Sequence, residues 1–235
     1  MISELNSRLL GAVQSASSVE ELPHDSYTDM AFPSLLKLMK FRTDRYKVEN
    51  FGHLMVMHTT TKMGMELLTL SFMPSGGLTV PYLLVDAMEM KQKRCVFVEY
   101  YGCGMEGLES SRLEELYESQ RLLPDYAEKP NWYVGERESY SLIKTGTEQQ
   151  LVNMAVTSVE MYMAGLQDAH VDPAYRERLS AFRQRMIDEG NPSSSTLHLL
   201  LGKKGAEEFM KRVVMPLDGE PTEAPYEKRG SKWLV

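Results

Sequence analysis

The chain reads as an α+β protein, a three-layer α/β/α sandwich with a central antiparallel β-sheet. Three observations predict this. Apolar residues recur at helical spacing near the N-terminus and through the last third. Between them lie four or five short runs rich in strand-forming residues. Those runs are joined by tight turns at 74–77 and 91–93, shorter than the crossover that parallel neighbours need. Helices, then an antiparallel sheet, then helices, make an α+β arrangement, and helices on both faces make three layers.

The elements follow in order. Ser3 to Val13 is a helix with apolar positions at Leu5, Leu9, Leu10 and Val13, and Pro33 to Lys40 is a second short helix or helix end. Strands follow at Tyr46–Asn50, Leu54–Thr60, Leu67–Phe72, around Asp86, and at Cys95–Tyr101. Ser110 to Leu122 is a charged amphipathic helix, with Ser110 or Ser111 as N-cap and Glu114 near the capping-box position. A loop at 124–135 leads to a last strand at Tyr140–Lys144. Thr147 caps a long helix to Leu166, and a second runs from Pro173 to Glu189. Gly190, Asn191 and Pro192 break it, and two short helices follow around Gly202. No internal repeat or boundary divides residues 1–217, read as one domain, and the Gly-, Pro- and charge-rich stretch 218–235 is expected to be loosely held.

Composition narrows the function. The 235 residues are 43% hydrophobic and 25% charged, ordinary for a soluble domain, and the net charge of −7 disfavours nucleic acid and anionic membranes. No apolar run approaches the length that spans a bilayer, and the start lacks the pattern of a secretory signal, so a cytoplasmic location is expected. Cys95 and Cys103 lack metal or disulfide-framework spacing. His24, His53, His58, His170 and His198 form no metal-spacing pair, and neither a dinucleotide fingerprint, a P-loop nor a nucleophile elbow is present. Seventeen methionines, among them Met55, Met57, Met63, Met65, Met73, Met88 and Met90, either fill the core or line an adaptable apolar pocket.

Asp86 is the most informative residue. It interrupts the apolar run from Pro81 to Met90, beside a second run from Cys95 to Tyr101. A carboxylate facing a low-dielectric wall favours its protonated form and can deliver a proton near neutral pH. The plainer alternative is a strand-edge aspartate bonded to backbone or facing water.

The stretch Phe72 to Asp86, with Pro74 after an aromatic strand end, Val80 and Pro81 before the next strand, and Asp86 within it, resembles the ferredoxin-dependent bilin reductases. Arg94 to Tyr100 is similar to that family's neighbouring strand, and Leu199 to Phe209, followed by Val213 to Pro216, is similar to its C-terminal helices. The resemblance spans Phe41 to Pro216. It implies an α/β/α sandwich in which a linear tetrapyrrole such as biliverdin lies between the sheet and the C-terminal helices. Single electrons would come from external reduced ferredoxin, or flavodoxin, with no bound cofactor and no metal, and acidic side chains would supply the protons. Asp86 then matches the catalytic aspartate of the sheet. Asn191 matches a C-terminal aspartate that serves several members as a second donor, although an amide gives up no proton readily. Thr69 falls where one branch carries histidine and another asparagine, with His58 and Glu66 as neighbours in a shifted register. His198 and Met88 are expected at the substrate. Arg42, Arg45, Lys62, Lys144 and Arg183 are candidates for its propionates. Lys91, Lys93 and Arg94, or Lys203 and Lys204, would meet ferredoxin. A noncatalytic tetrapyrrole-binding protein, or an unrelated α+β enzyme, remains the alternative.

Overall fold

Strand periodicity builds the middle layer. A computed structural model describes residues 1–225 apart from 34, 35, 92, 107, 109 and 192. Eight strands form one sheet: β1 (Val19–Glu21), β2 (Asp29–Phe32), β3 (Met39–Val48), β4 (Gly52–Thr61), β5 (Met65–Pro74), β6 (Tyr82–Met90), β7 (Lys93–Tyr101) and β8 (Leu142–Thr145). All pairings are antiparallel, in the order β1-β3-β4-β5-β6-β7-β8, and β2 shares the β3 edge with β1.

Alternation along each strand separates two cores. On one face Leu54, Val56, Leu68, Leu70, Phe72, Leu83, Val85, Ala87, Val96 and Val98 form an aliphatic surface. It is covered by α1 (Ile2–Ala16) and α3 (Glu148–Gly165), with α2 (Ser111–Gln120) packed beside α3. The α1 stripe Ile2, Leu5, Leu9 and Val13 is fully buried, and α3 is buried over most of its circumference because the sheet, α1 and α2 all contact it, with polar residues such as Gln149, Asn153 and Glu160 left exposed. On the other face Met55, Met57, Met73, Tyr82, Leu84 and Tyr101 meet α4 (Pro173–Asp188) and α5 (Ser194–Phe209), then a π-helical turn at Met210–Val214. The architecture is the predicted three-layer sandwich.

Local signals explain several boundaries. Thr147 and Gln150 form a reciprocal capping box at the start of α3. Ser110 does not cap α2 through its side chain. Its hydroxyl donates to the Glu114 carboxylate at 2.7 Å instead. The two short helices expected around Gly202 are present: α5 is interrupted there, where Gly202 leaves the helical conformation with φ 69° and ψ 170°. The helix expected over 33–40 is replaced by a turn at Leu36 and the start of β3, while Ser34 and Leu35 lie outside the described residues. Of the tail, Asp218 accepts from the Gly76 amide, Glu220 pairs with Arg183, and the Ala224 amide donates to Asp25 at 2.7 Å, while residues 226–235 lie outside the described residues. Among the described residues no helix is long and apolar enough to cross a membrane.

Gly77 joins the sheet to the C-terminal layer. It has φ 77°, and its carbonyl accepts from the Asp172 amide at 3.0 Å, where α4 begins. A Cβ there would collide with the Asp172 carbonyl oxygen. Gly77→Ala should destabilise the protein by about 2 kcal/mol or more, through both backbone strain and the clash. Equilibrium urea unfolding checks this, and an unchanged midpoint would show that the junction yields freely.

Candidate functional site

Between the sheet and the C-terminal helices lies a narrow cavity of about 30 Å³, room for one or two waters. Register fixes its floor. Met57, Thr69 and Asp86 lie in one cross-strand row over β4, β5 and β6, and Phe97 continues it on β7. Met55 and Leu84 flank that row, and α4, α5 and the turn after α5 supply the roof with Met186, Asn191, Leu197, Phe209, Met210 and Met215. Six of the lining groups named here are apolar thioethers or rings, so the Asp86 carboxyl has little polar company.

Asp86 is half-buried only because it borders the cavity; protein surrounds it otherwise. Desolvation pushes its pKa up to about 6, against the pull of the Thr69 hydroxyl, which donates to Oδ1, and of the more distant Arg137 guanidinium. The group can therefore carry a proton near neutrality and release it without leaving the site.

A second carboxyl shares this face. Glu99 on β7 stands opposite Leu84, one row from Asp86, and is 1% exposed. Arg137 reaches it from the loop before β8 and binds Glu128 with both guanidinium ends, at 2.5 and 2.9 Å. The Tyr101 hydroxyl donates to Glu99 at 3.0 Å. Burial pushes Glu99 up to about 7, Arg137 opposes this, and the Asp86 charge adds to the rise. One guanidinium thus faces two carboxylates, with a third on the next strand. From sequence alone Glu99 belongs to the apolar run Cys95–Tyr101, and Arg137 lies between the loop at 124–135 and the strand at Tyr140–Lys144. The signal for Glu99 is its even spacing from Tyr101, which puts both on the Asp86 face.

The other expected residues divide. Thr69 touches Asp86 directly. Asn191 borders the cavity, but its side chain is committed: Oδ1 accepts from the Ser193 amide at 2.9 Å and Nδ2 donates to the Met186 carbonyl at 3.2 Å, closing the break between α4 and α5. His58 does not belong to the site. It pairs across the strands with Leu68, on the opposite face, and contacts Glu66 at 3.3 Å. Met88 shares the Asp86 face but lies one row beyond the cavity lining. His198 is exposed and lines a separate polar recess with Lys203 and Glu207, which touches the cavity through Asn191, Leu197 and Met210. The basic residues expected at propionates are engaged elsewhere: Arg45 with Asp25, Arg42 with Asp44, Lys144 with Asp125 and Arg183 with Glu220. Lys62 sits on a turn at the end of the sheet. Glu21, His24 and Asp44 bring ligand-type atoms within 4.8 Å at the β1–β3 edge, but the Arg42 guanidinium already holds Asp44 at 2.8 Å.

No family model matches the chain, and no curated protein matches it. Its fold is similar to the crystal structure of SeMet-phytochromobilin synthase from tomato in complex with biliverdin, with a TM-score of 0.75 and 10% identity, over 91% of this chain and 82% of that one.

Asp86 and Arg137 give opposite expectations in stability. Asp86 binds its proton more tightly folded than unfolded, so its contribution is present at pH 4 and lost as pH rises through about 6. Asp86→Asn should therefore stabilise the fold at pH 8 by about 2 kcal/mol, a gain that shrinks toward pH 4. Urea unfolding at the two pH values reads this, and a pH-independent difference would remove the desolvation account. Arg137→Met should cost about 3–5 kcal/mol by stranding Glu99, with partial recovery in the Glu99→Gln, Arg137→Met double variant. Additive losses in that cycle would mean the pair is not coupled.

Proposed function

We propose that the chain binds an open-chain tetrapyrrole against the Asp86 face of the sheet and reduces it with electrons from an external carrier. The observation that carries the reading is a carboxyl group held near a pKa of 6 on the floor of a cavity lined by methionines and aromatics, between the sheet and the C-terminal helices. The fold likeness to phytochromobilin synthase supports it.

The chemistry follows from the residues. Adding two electrons across one double bond of a bilin takes up two protons. A bilin radical is more basic than its parent, so an acid at pKa about 6 is matched to give the first of them. Thr69 donates to Asp86 and so fixes the carboxyl rotamer; on proton loss the same hydrogen bond stabilises the carboxylate. Asn191 cannot supply the second proton, because its side chain is a neutral amide tied to backbone.

The cavity has room for only one or two waters, so a tetrapyrrole binds by parting its walls. Met55, Met57, Met186, Met210 and Met215 are suited to this, since unbranched thioethers change rotamer at little cost. The break at Gly202 lies in the roof element and separates its two halves. Opening of the roof therefore moves short pieces rather than a rigid 16-residue helix.

A second reading, a binding protein without turnover, is favoured by the committed amide of Asn191. Visible absorbance on titration with biliverdin, followed by anaerobic turnover with reduced ferredoxin, separates the readings. We expect a saturable spectral shift in the native protein, and in Asp86→Asn the same shift with turnover lowered by about 10²–10⁴-fold. Binding without turnover in the native protein would establish the second reading, and absence of any shift would sink both.

A further inference from the structure

The antiparallel register brings one end of five strands together: Met39 on β3 faces Thr61 on β4, Met65 on β5 faces Met90 on β6, and Met90 faces Lys93 on β7. At the strand spacing this end is about 19 Å wide. Its turns are basic and apolar. Lys37, Lys40, Lys62, Lys91 and Lys93 are all exposed, and so are Leu36, Leu38 and Met63, at 58%, 44% and 82%. The Lys62 amide donates to the Leu38 carbonyl at 2.9 Å, which ties the segment before β3 to the β4–β5 turn. Between these two segments lies a groove of about 330 Å³ lined by Leu36, Lys37, Lys40, Thr60, Thr61 and Lys62.

The density of unmatched charge distinguishes this edge: of the nine described lysines without a described carboxylate partner five are here, and Lys47, Lys129, Lys203 and Lys204 lie elsewhere. The chain carries net −7, and elsewhere cations such as Lys144, Arg185, Lys211 and Arg212 are matched to carboxylates. None of the five lysines here forms an ion pair with a described carboxylate. The acidic groups at the same end are already engaged: Glu66 with His58, Glu89 with Arg94, and Glu148 with the N-terminal amine. Exposed apolar side chains set among unmatched lysines are the composition of a docking surface for an acidic protein, in which long-range attraction guides the approach and apolar contact holds it.

We infer that this sheet end docks a small acidic iron–sulfur protein that delivers electrons to the Asp86 cavity. The assignment rests on the reductive reading above and adds the place of contact. Asp86 is four residues from Met90 along β6, about 13 Å, so a carrier seated on the turns lies close to whatever occupies the cavity. No bond forms or breaks at the docking surface; one electron leaves the reduced cluster and enters the bound acceptor. The other basic candidate, Lys203 and Lys204, has one exposed apolar neighbour, Leu199, whereas the sheet end carries Leu36, Leu38 and Met63 on two adjoining segments.

The test uses the full chain and an oxidised plant-type [2Fe–2S] ferredoxin, with binding read by calorimetry at low and high salt. The variants are Lys37→Glu, Lys62→Glu, Lys91→Glu and Lys93→Glu combined, and, as a control, Lys129→Glu with Lys204→Glu. We expect native binding that weakens with salt, a loss of tenfold or more in the combined variant, and no change in the control. Equal binding by the native and combined proteins, or loss confined to the control, overturns the assignment. The biliverdin titration is run on the same samples. A retained spectral shift shows that the combined variant is folded. No ferredoxin binding by a native protein that does shift with biliverdin overturns the docking site alone. Patch-dependent ferredoxin binding without any biliverdin shift sinks the tetrapyrrole reading and leaves the docking site standing.

Discussion

The pairing register of β5, β6 and β7 is the constraint on which the rest depends. On β6, Leu83, Val85 and Ala87 point into an aliphatic core, while Tyr82, Leu84 and Asp86 point the other way. A slip of one residue would exchange these sets and drive Asp86 into the aliphatic core against Leu68, Leu70 and α3. The correct register instead sets it opposite Thr69. Burying the carboxyl is unfavourable, and the Leu and Val residues on the reverse face hold the register that forces it. The helices follow from that decision. An aliphatic face calls for the apolar surfaces of α1 and α3. A mixed face of methionine, aromatic and polar groups accepts the more polar α4 and the broken α5.

The two cores therefore do different work. Leu, Val and Ile interdigitate in few rotamers and make the α1–α3 side rigid. On the Asp86 side, Met55, Met57, Met73, Met186, Met210 and Met215 line or adjoin the cavity with chains that pack in many rotamers. Ser71 ties this softer layer to the sheet, donating to the Val214 carbonyl at 2.5 Å and contacting the Tyr82 hydroxyl at 3.0 Å. The attachment lies beside the cavity, so the roof can move at α5 while its C-terminal end stays fixed to β5.

The sequence made the central sheet legible because β5, β6 and β7 combine strong β-formers with short turns, and the capping box of α3 was readable from Thr147 and Gln150 alone. The edge was harder. β1 and β2 are short and largely unburied, so no apolar run announces them, and β3 alternates charged residues with Phe41, Thr43 and Arg45, one of which is a buried cation paired with Asp25. At the site, Asp86 and Thr69 came from strand pattern and family resemblance. Asn191 lines the cavity, and its commitment to backbone is a tertiary fact that no local pattern announces. His58 failed on parity: an even separation from Val56 puts it with the aliphatic face. Glu99 and Arg137 were hidden because their partnership joins residues 38 apart, across a loop with no periodic signal.

That hidden pair bears on how protons reach the Asp86 face. Arg137 is a single positive charge among Glu99, Glu128 and, more distantly, Asp86. Were all three carboxyls ionised, this dry surface would carry excess negative charge in a medium that screens it poorly. Protonation of one relieves the others, so the two carboxyls of the face titrate as a coupled set rather than as independent acids. When Asp86 gives up its proton, its new charge raises the proton affinity of Glu99; when it is reprotonated, that affinity falls again. The amide at Asn191 removes one acid from the roof, and the sheet itself retains a second carboxyl whose charge answers to the first. Whatever enters the cavity meets a floor that can hold or release a proton with little change in backbone, beneath a roof built to move.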